Sequence, residues 1–223
     1  MGSRIVTAIA AAGALFAASS AAQASLIFSD DFETPQNSQN WQVYQSFGAN
    51  WTSDPSTAGI EIQTTGAVAG VSAQSGNQYV ELDSDSQRGG RNAPTNSSMT
   101  RTLTLMPGTY ELTWYYQPRT NTAGDNIIEV YLDGDSQALG TNLIGSMDST
   151  SSQTPDWVEV VNSFTIGANP DNDYGLTFAA LGAENELGGF IDTVSLTRVP
   201  APASLALLGL GLAGLGVARG RRR

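Results

Sequence analysis

The chain has 223 residues, with 21 Asp and Glu against 10 Arg and Lys and a net charge of −11. It contains no cysteine, histidine or lysine, which removes disulfide frameworks, Ser-His-Asp and Cys-His pairs, histidine zinc sites and any side-chain base poised near neutrality. All 21 carboxylates lie between Asp30 and Asp192, opposed there only by Arg88, Arg91, Arg101, Arg119 and Arg198, and this net −16 over 25–198 repels nucleic acid and anionic lipid while suiting cations and neutral sugars, or serving solubility alone.

At the start, Arg4 is followed over 5–18 by an Ala/Ile/Leu-rich stretch, and Ala22-Gln23-Ala24 has the small-x-small pattern of a signal-peptidase site. The expected signal peptide is 1–24, with signal peptidase as its partner and Ser25 as the first mature residue. The exported domain is then 25–198, long enough to bury its own core without staples.

Across 25–198 apolar residues alternate or run in short bursts between Gly, Asn, Asp, Ser and Pro, with no long 3.6-residue period. This is the all-β pattern. Strands are expected at 41–47, 59–63, 78–83, 99–105, 109–117, 126–132, 157–166, 175–180 and 190–198, and so many short strands imply a two-sheet antiparallel sandwich. The dipeptide Pro107-Gly108 predicts a hairpin joining 99–105 to 109–117, and Asp133-Gly134 predicts another turn after IIEVYL. In TYELTWYY, Tyr110, Leu112, Trp114 and Tyr116 share a core face, opposite Glu111, Thr113 and Tyr115. The stretch 84–98 is the longest without apolar pattern and reads either as a binding loop or as a linker.

The end of the chain is a third kind of segment. Residues 201–218 carry no charge; as a helix rising about 1.5 Å per residue they span roughly 27 Å, close to the hydrocarbon core of a bilayer. Arg219, Arg221, Arg222 and Arg223 follow and mark a cytoplasmic end, which leaves 25–198 outside. Gly209, Gly211 and Gly214 match the dinucleotide pattern G-x-G-x-x-G, but no strand precedes them; they read instead as a thin face for helix packing. An uncleaved membrane anchor is one reading of this segment.

Val199-Pro200-Ala201-Pro202, Ser204, the Leu/Gly-rich run and the arginine tip together resemble the PEP-CTERM sorting signals of Gram-negative, exopolysaccharide-producing bacteria. Ala201 stands where that family has glutamate. The resemblance implies a sorting segment at 199–223, anchored in the inner membrane and processed by an exosortase near the prolines. Prolines keep such a segment extended and open to a protease.

DDFE at 30–33, GIEIQ at 59–63, SGNQYVELDS at 75–84, PGTYELTWYYQPR at 107–119, IIEVYLDG at 127–134 and GGFIDTVSLT at 188–197 are similar, in order, to the galactose-binding-like jelly-roll domain common in PEP-CTERM proteins. The resemblance implies an all-β jelly roll related to carbohydrate-binding modules. It also implies a structural calcium joining the first strand region to the last, held by Glu33 and Asp192 with Asp31 and backbone carbonyls, since calcium takes six to eight oxygens; pairing of Glu33 and Asp192 with Arg198, or with turn N–H groups, is the alternative. Trp41, Trp51, Tyr115 and Arg119 are the candidate ligand surface, because sugars stack on aromatic faces while planar polar groups take the hydroxyls. Three functions follow as expectations: a non-catalytic binder of exopolysaccharide or another glycan, at the cell surface or in a biofilm matrix; an acidic structural or adhesive matrix protein; and, more distantly, a carboxylate-pair enzyme acting on glycosidic bonds.

Overall fold

The computed structural model describes residues 23–48, 50–87, 92–133, 142–149, 156–168 and 172–200. The expected signal peptide up to residue 22 and the expected helix and arginine tip over 201–223, with Pro202 and Ser204, lie outside these residues. Among the described residues no helix is long and apolar enough to cross a membrane.

The described residues are all β. In chain order the strands are β1 (Ser25–Asp30), β2 (Trp41–Tyr44), β3 (Ser46–Phe47), β4 (Trp51–Ser53), β5 (Ile60–Thr64), β6 (Gln78–Glu81), β7 (Ser98–Thr104), β8 (Gly108–Gln117), β9 (Ile128–Asp133), β10 (Leu143–Met147), β11 (Val158–Ile166), β12 (Asp173–Ala180) and β13 (Phe190–Val199). A seven-stranded antiparallel sheet, ordered β11-β8-β13-β6-β5-β2 with β1 also on β13, faces a six-stranded one ordered β10-β9-β12-β7-β4-β3. This is the expected jelly-roll sandwich.

Alternation decides what fills the space between the sheets. Tyr110, Leu112, Trp114 and Tyr116 of β8 point inward with at most 1% exposure, as TYELTWYY predicts. They meet Val130, Leu132, Leu176 and Phe178 from the opposite sheet, and Phe178 sits edge-on between Trp51 and Trp114, at ring distances of 6.1 and 5.3 Å. Each such side chain contributes about 1.5–3 kcal/mol of burial, so this aromatic centre sets the spacing of the two layers.

The expected hairpin at Pro107-Gly108 is corrected by the pairing. β7 pairs with β12 and β4, whereas β8 pairs with β11 and β13, so Met106-Pro107 carries the chain from one sheet to the other. A turn between two alternating runs looks the same in a hairpin and in such an arch, because the difference lies in distant partners. Tyr110 Oη donates to the Met106 carbonyl at 2.6 Å and Arg198 Nη2 to the Pro107 carbonyl at 2.7 Å, which satisfies the arch's backbone. β9 pairs antiparallel with β10, the next strand in the chain, and the turn expected at Asp133-Gly134 lies, from 134 onward, outside the described residues.

In β13 the register shifts between Asp192 and Ser195, and Thr193 takes a left-handed φ of 44°. The extra residue changes the parity: Ile191 before it and Val194 and Leu196 after it all reach the core, while Asp192 stays on the outer face beside Tyr115.

Gly59 opens β5 at φ +127°, and a Cβ there would lie 2.6 Å from the Tyr44 carbonyl. Its own carbonyl accepts the hydroxyl of Ser84 at 2.6 Å. Gly59→Ala is therefore expected to cost about 1–3 kcal/mol, read as a lower urea midpoint at unchanged m-value.

Candidate functional site

The outer face of the seven-stranded sheet carries the chemistry. Pairing of β2 with β5 sets Trp41 opposite Gln63; pairing of β5 with β6 sets Glu61 opposite Glu81 and Gln63 opposite Tyr79; pairing of β6 with β13 sets Glu81 opposite Phe190. On the other face of the same strands lie Ile60, Ile62, Val80 and Ile191, all fully buried. Two-residue periodicity thus places a polar row and an aromatic row over a hydrophobic floor.

That outer face is covered. Val71, Tyr79 and Phe190 form a second small apolar cluster, joined by Val68, Ala73 and Trp157, and the Trp157 indole N–H donates to the Ser72 carbonyl at 2.8 Å. Two carboxylates hold the covering segment in place. Asp192 Oδ2 accepts the N–H groups of Gln74 and Ser75 at 2.8 and 3.1 Å, and Glu33 Oε1 accepts those of Asn77 and Gln78 at 2.7 and 2.6 Å. Asp192 Oδ1 also takes the Thr193 N–H at 2.6 Å.

Glu33 and Asp192 therefore do converge on one segment, 74–78, by the turn hydrogen bonds of the alternative reading. Asp31 is exposed and accepts the N–H of Glu33, at 3.4 Å. The groups aimed at both carboxylates are N–H donors, the wrong polarity for partners of a cation, and no cluster of three or more metal-binding side chains occurs among the described residues. In this arrangement the residues do not fit a calcium ion.

Beside the covering segment a cleft of about 270 Å³ is lined by Trp41, Glu61, Gln63, Asp85, Arg119 and Asn185, with Ala67 and Val68 as its apolar wall. Arg119, just beyond β8, donates through Nη1 to both Glu81 oxygens at 2.6 Å and to the Glu186 carbonyl at 2.8 Å. Its backbone is fixed by Asn126 Oδ1, which accepts the N–H groups of Arg119 and Thr120. The Gln63 amide donates to Glu61 Oε1 at 2.8 Å and also to Glu81 Oε2. Glu61 Oε2 accepts the Asp85 N–H at 2.7 Å.

Burial pushes both carboxyls upward. Glu81, fully buried, is raised well above the ordinary range by desolvation and then by the charge of Glu61, with Arg119 opposing. Glu61 is raised by desolvation against the hydrogen bonds from Asp85 and Gln63. Asp192 is pushed up to about 7 by burial, against its N–H donors.

Of the four side chains expected to form a ligand surface, the structure brings two together. Trp41 is half-buried at the cleft, its indole N–H 3.4 Å from Asp85 Oδ2, and Arg119 forms the base. Trp51 is a correction: it is 1% exposed in the sandwich core, donating to Asp30 Oδ2 at 2.9 Å, because β4 turns it inward against Phe28 and Phe178. Tyr115 lies outside the cleft on the outer face of β8, its hydroxyl 3.3 Å from Glu159. Glu61, Gln63 and Glu81 were not expected at the site; the signal available was Glu61 and Gln63 alternating with isoleucines in IEIQ, and Glu81 between the apolar Val80 and Leu82 of YVEL.

Residues 198–223 match the PEP-CTERM protein-sorting motif, and the match begins while Arg198 and Val199 are still paired in β13 with Tyr110 and Thr109. No curated protein matches the sequence. Among solved structures, the K2 cleaved adhesin domain of Lys-gingipain is similar at 12% identity and TM-score 0.51, covering 77% of this chain and 98% of that one. The Stig cyclase Fisc from Fischerella sp. TAU is similar at 18% identity and TM-score 0.51, over 81% and 100%. The CBM22-1 xylan-binding domain from Paenibacillus barcinonensis is similar at 13% identity and TM-score 0.43, over 80% and 97%. The first two likenesses, at TM-score 0.51, are to the same sandwich fold, while the sorting motif implies export and processing by an exosortase.

Arg119→Met would leave Glu81 buried without its cation, an expected loss of about 3 kcal/mol at pH 7 in urea unfolding, part of it recovered at pH 4 where the carboxyl is protonated. For Asp192, a folded pKa near 7 above the ordinary 3.8 means that the native chain holds an extra proton between those values. Its contribution is then most favourable below about pH 4 and is lost as pH rises to 7, by about 4 kcal/mol at most. Urea midpoints across pH 4–7 should show this decline, and Asp192→Asn should flatten it. Calcium should leave the profile unchanged; a calcium-dependent gain lost in Asp192→Asn would reinstate the ion.

Proposed function

We propose that the chain is an exported, non-catalytic glycan-binding module whose ligand site is the cleft of Trp41, Glu61, Gln63, Arg119 and Asn185. The observation that carries this reading is an aromatic side chain flanking a concave site into which hydrogen-bonding groups converge, with Trp41, Glu61 and Gln63 set on the paired strands β2 and β5. An indole face offers a platform for sugar C–H groups, and carboxylate, amide and guanidinium groups suit hydroxyls. At about 270 Å³ the cleft has room for a terminal sugar unit and not for a long run of chain.

The carboxylate pair argues against the enzyme reading. A glycosidase needs two carboxyl groups flanking the scissile bond, about 5 Å apart or more and both open to substrate. Here the space between Glu61 and Glu81 is filled by the Gln63 amide, and Glu81 lies fully buried under Arg119. A purely structural acidic matrix protein needs no such cleft, which favours the binding reading over it.

In this reading the domain is held at the outer face of the inner membrane until an exosortase processes the segment that contains Val199, Pro200, Pro202 and Ser204. It then serves at the cell surface or in the extracellular matrix, with exopolysaccharide as the fitting ligand.

An array of bacterial polysaccharides and shorter glycans probed with the full-length chain in neutral detergent tests this. Selective binding is expected, weakened at least about tenfold, or ~1.4 kcal/mol, in Trp41→Ala and unaffected in Tyr115→Ala. Silence across the array would sink the glycan reading and favour the structural matrix protein.

A further inference from the structure

Exposed apolar side chains gather at one end of the sandwich. Leu26 and Ile27 of β1, Met106 in the arch between β7 and β8, and Val199 at the end of β13 are between 37% and 61% exposed. Pairing sets them at the same end: Ser25 lies opposite Arg198 and Leu26 opposite Thr197, Val199 is paired with Thr109, and Arg198 Nη2 reaches the Pro107 carbonyl of the arch. A single exposed hydrophobic needs no explanation, whereas several at one end mark a contact surface.

A second observation, independent of exposure, says what lies against that end. Because Ser25 is paired with Arg198, the chain enters and leaves the domain there, coming from the expected signal peptide and going on to the uncharged run 201–218. Only Pro200 separates Val199 from that run. At about 3.5 Å per residue, a bilayer holding 201–218 lies within roughly 10 Å of chain from the paired end of β13. The acids nearest the rim in the pairing, Glu111 opposite Thr197 and Asp173 opposite Thr104, stand beside it. With Arg198 they suit a zwitterionic headgroup, which offers both signs of charge, better than an anionic one.

We propose that, before processing, the rim of Leu26, Ile27, Met106 and Val199 rests in the headgroup boundary of the membrane, so that the domain stands with its cleft turned away from lipid. The inference rests on the reading of 201–218 as a membrane anchor and adds a second attachment to it. Its orientation follows from β13, whose first residue, Phe190, is paired with Glu81 of the cleft and whose last is Val199. Ten residues of strand separate the two ends, about 30 Å at roughly 3.3 Å per residue. A ligand site set that far from the anchored end is open to polymer arriving from outside.

The chain has no cysteine, so single introduced cysteines can each carry one environment-sensitive fluorophore. The full-length chain is placed in phosphatidylcholine nanodiscs that bear a nitroxide quencher near the headgroup. The label at Met106→Cys is expected to lose emission, and the label at Leu181→Cys, beyond the far end of β12, to keep it. Leu207→Cys, within the uncharged run, reports the anchor itself. Adding Leu26→Glu to Met106→Cys should restore emission at 106, with quenching at 207 and the circular dichroism spectrum unchanged. Emission lost at 207 but kept at 106, or lost equally at 106 and 181, overturns the seated orientation and leaves the anchor standing. A loss at 106 that Leu26→Glu does not relieve reflects the short tether alone and overturns the apolar contact. Emission kept at 207 overturns the anchor reading and this inference with it.

Discussion

Glu81, a fully buried carboxylate at the end of a central strand, is paired with Arg119. This one pair ties together parts of the chain that would otherwise be free to separate: the end of β6, the segment leaving β8, and the Glu186 carbonyl, which accepts the same Nη1. The Gly188 N–H donates to Glu81 Oε1 at 2.8 Å, so the approach to β13 is anchored on the same side chain. Breaking such a pair costs far more than the pair itself contributes, since the surviving charge is left in low dielectric. The cleft is built on this constraint, with the Gln63 amide donating to both Glu61 and Glu81.

Much of the fold was legible in the sequence because alternation is a local record of a global fact. Each of the nine expected strand regions contains a strand, and the inward face of β8 was assigned residue by residue. β1, β4 and β10 were missed: β1 and β10 each carry a register shift that breaks the period, and β4 has only three residues. The mistaken hairpin at Pro107-Gly108 has a different origin. Which sheet a strand joins is set by partners such as β12 and β13, distant in sequence, and turn chemistry carries no record of them.

The site was half legible. Trp41 and Arg119 stood out because an aromatic or a lone arginine beside a strand is conspicuous in so acidic a chain. Glu61, Gln63 and Glu81 did not, because polar residues alternating with apolar ones ordinarily mark a solvated face. What hid them is the covering segment 65–77, whose packing on Tyr79 and Phe190 turns an outer sheet face into an interior. Glu33 and Asp192 were singled out by resemblance and do act together, but as acceptors that clamp this segment through its amides.

β13 runs without a break into the sorting motif, its last paired residue being Val199 and the first proline standing at 200. At about 3.5 Å per residue the prolines at 200 and 202 lie within roughly 10 Å of chain from a strand still bonded to β8. A protease that clasps an extended substrate needs several residues on each side of the bond it cuts, so little loose chain is available on the β13 side. For a cut near the prolines, access would depend on how readily Arg198 and Val199 peel from Tyr110 and Thr109. Fraying of one strand end would then couple the stability of the sandwich to maturation, with the arginine bond to the Pro107 carbonyl holding that end in place.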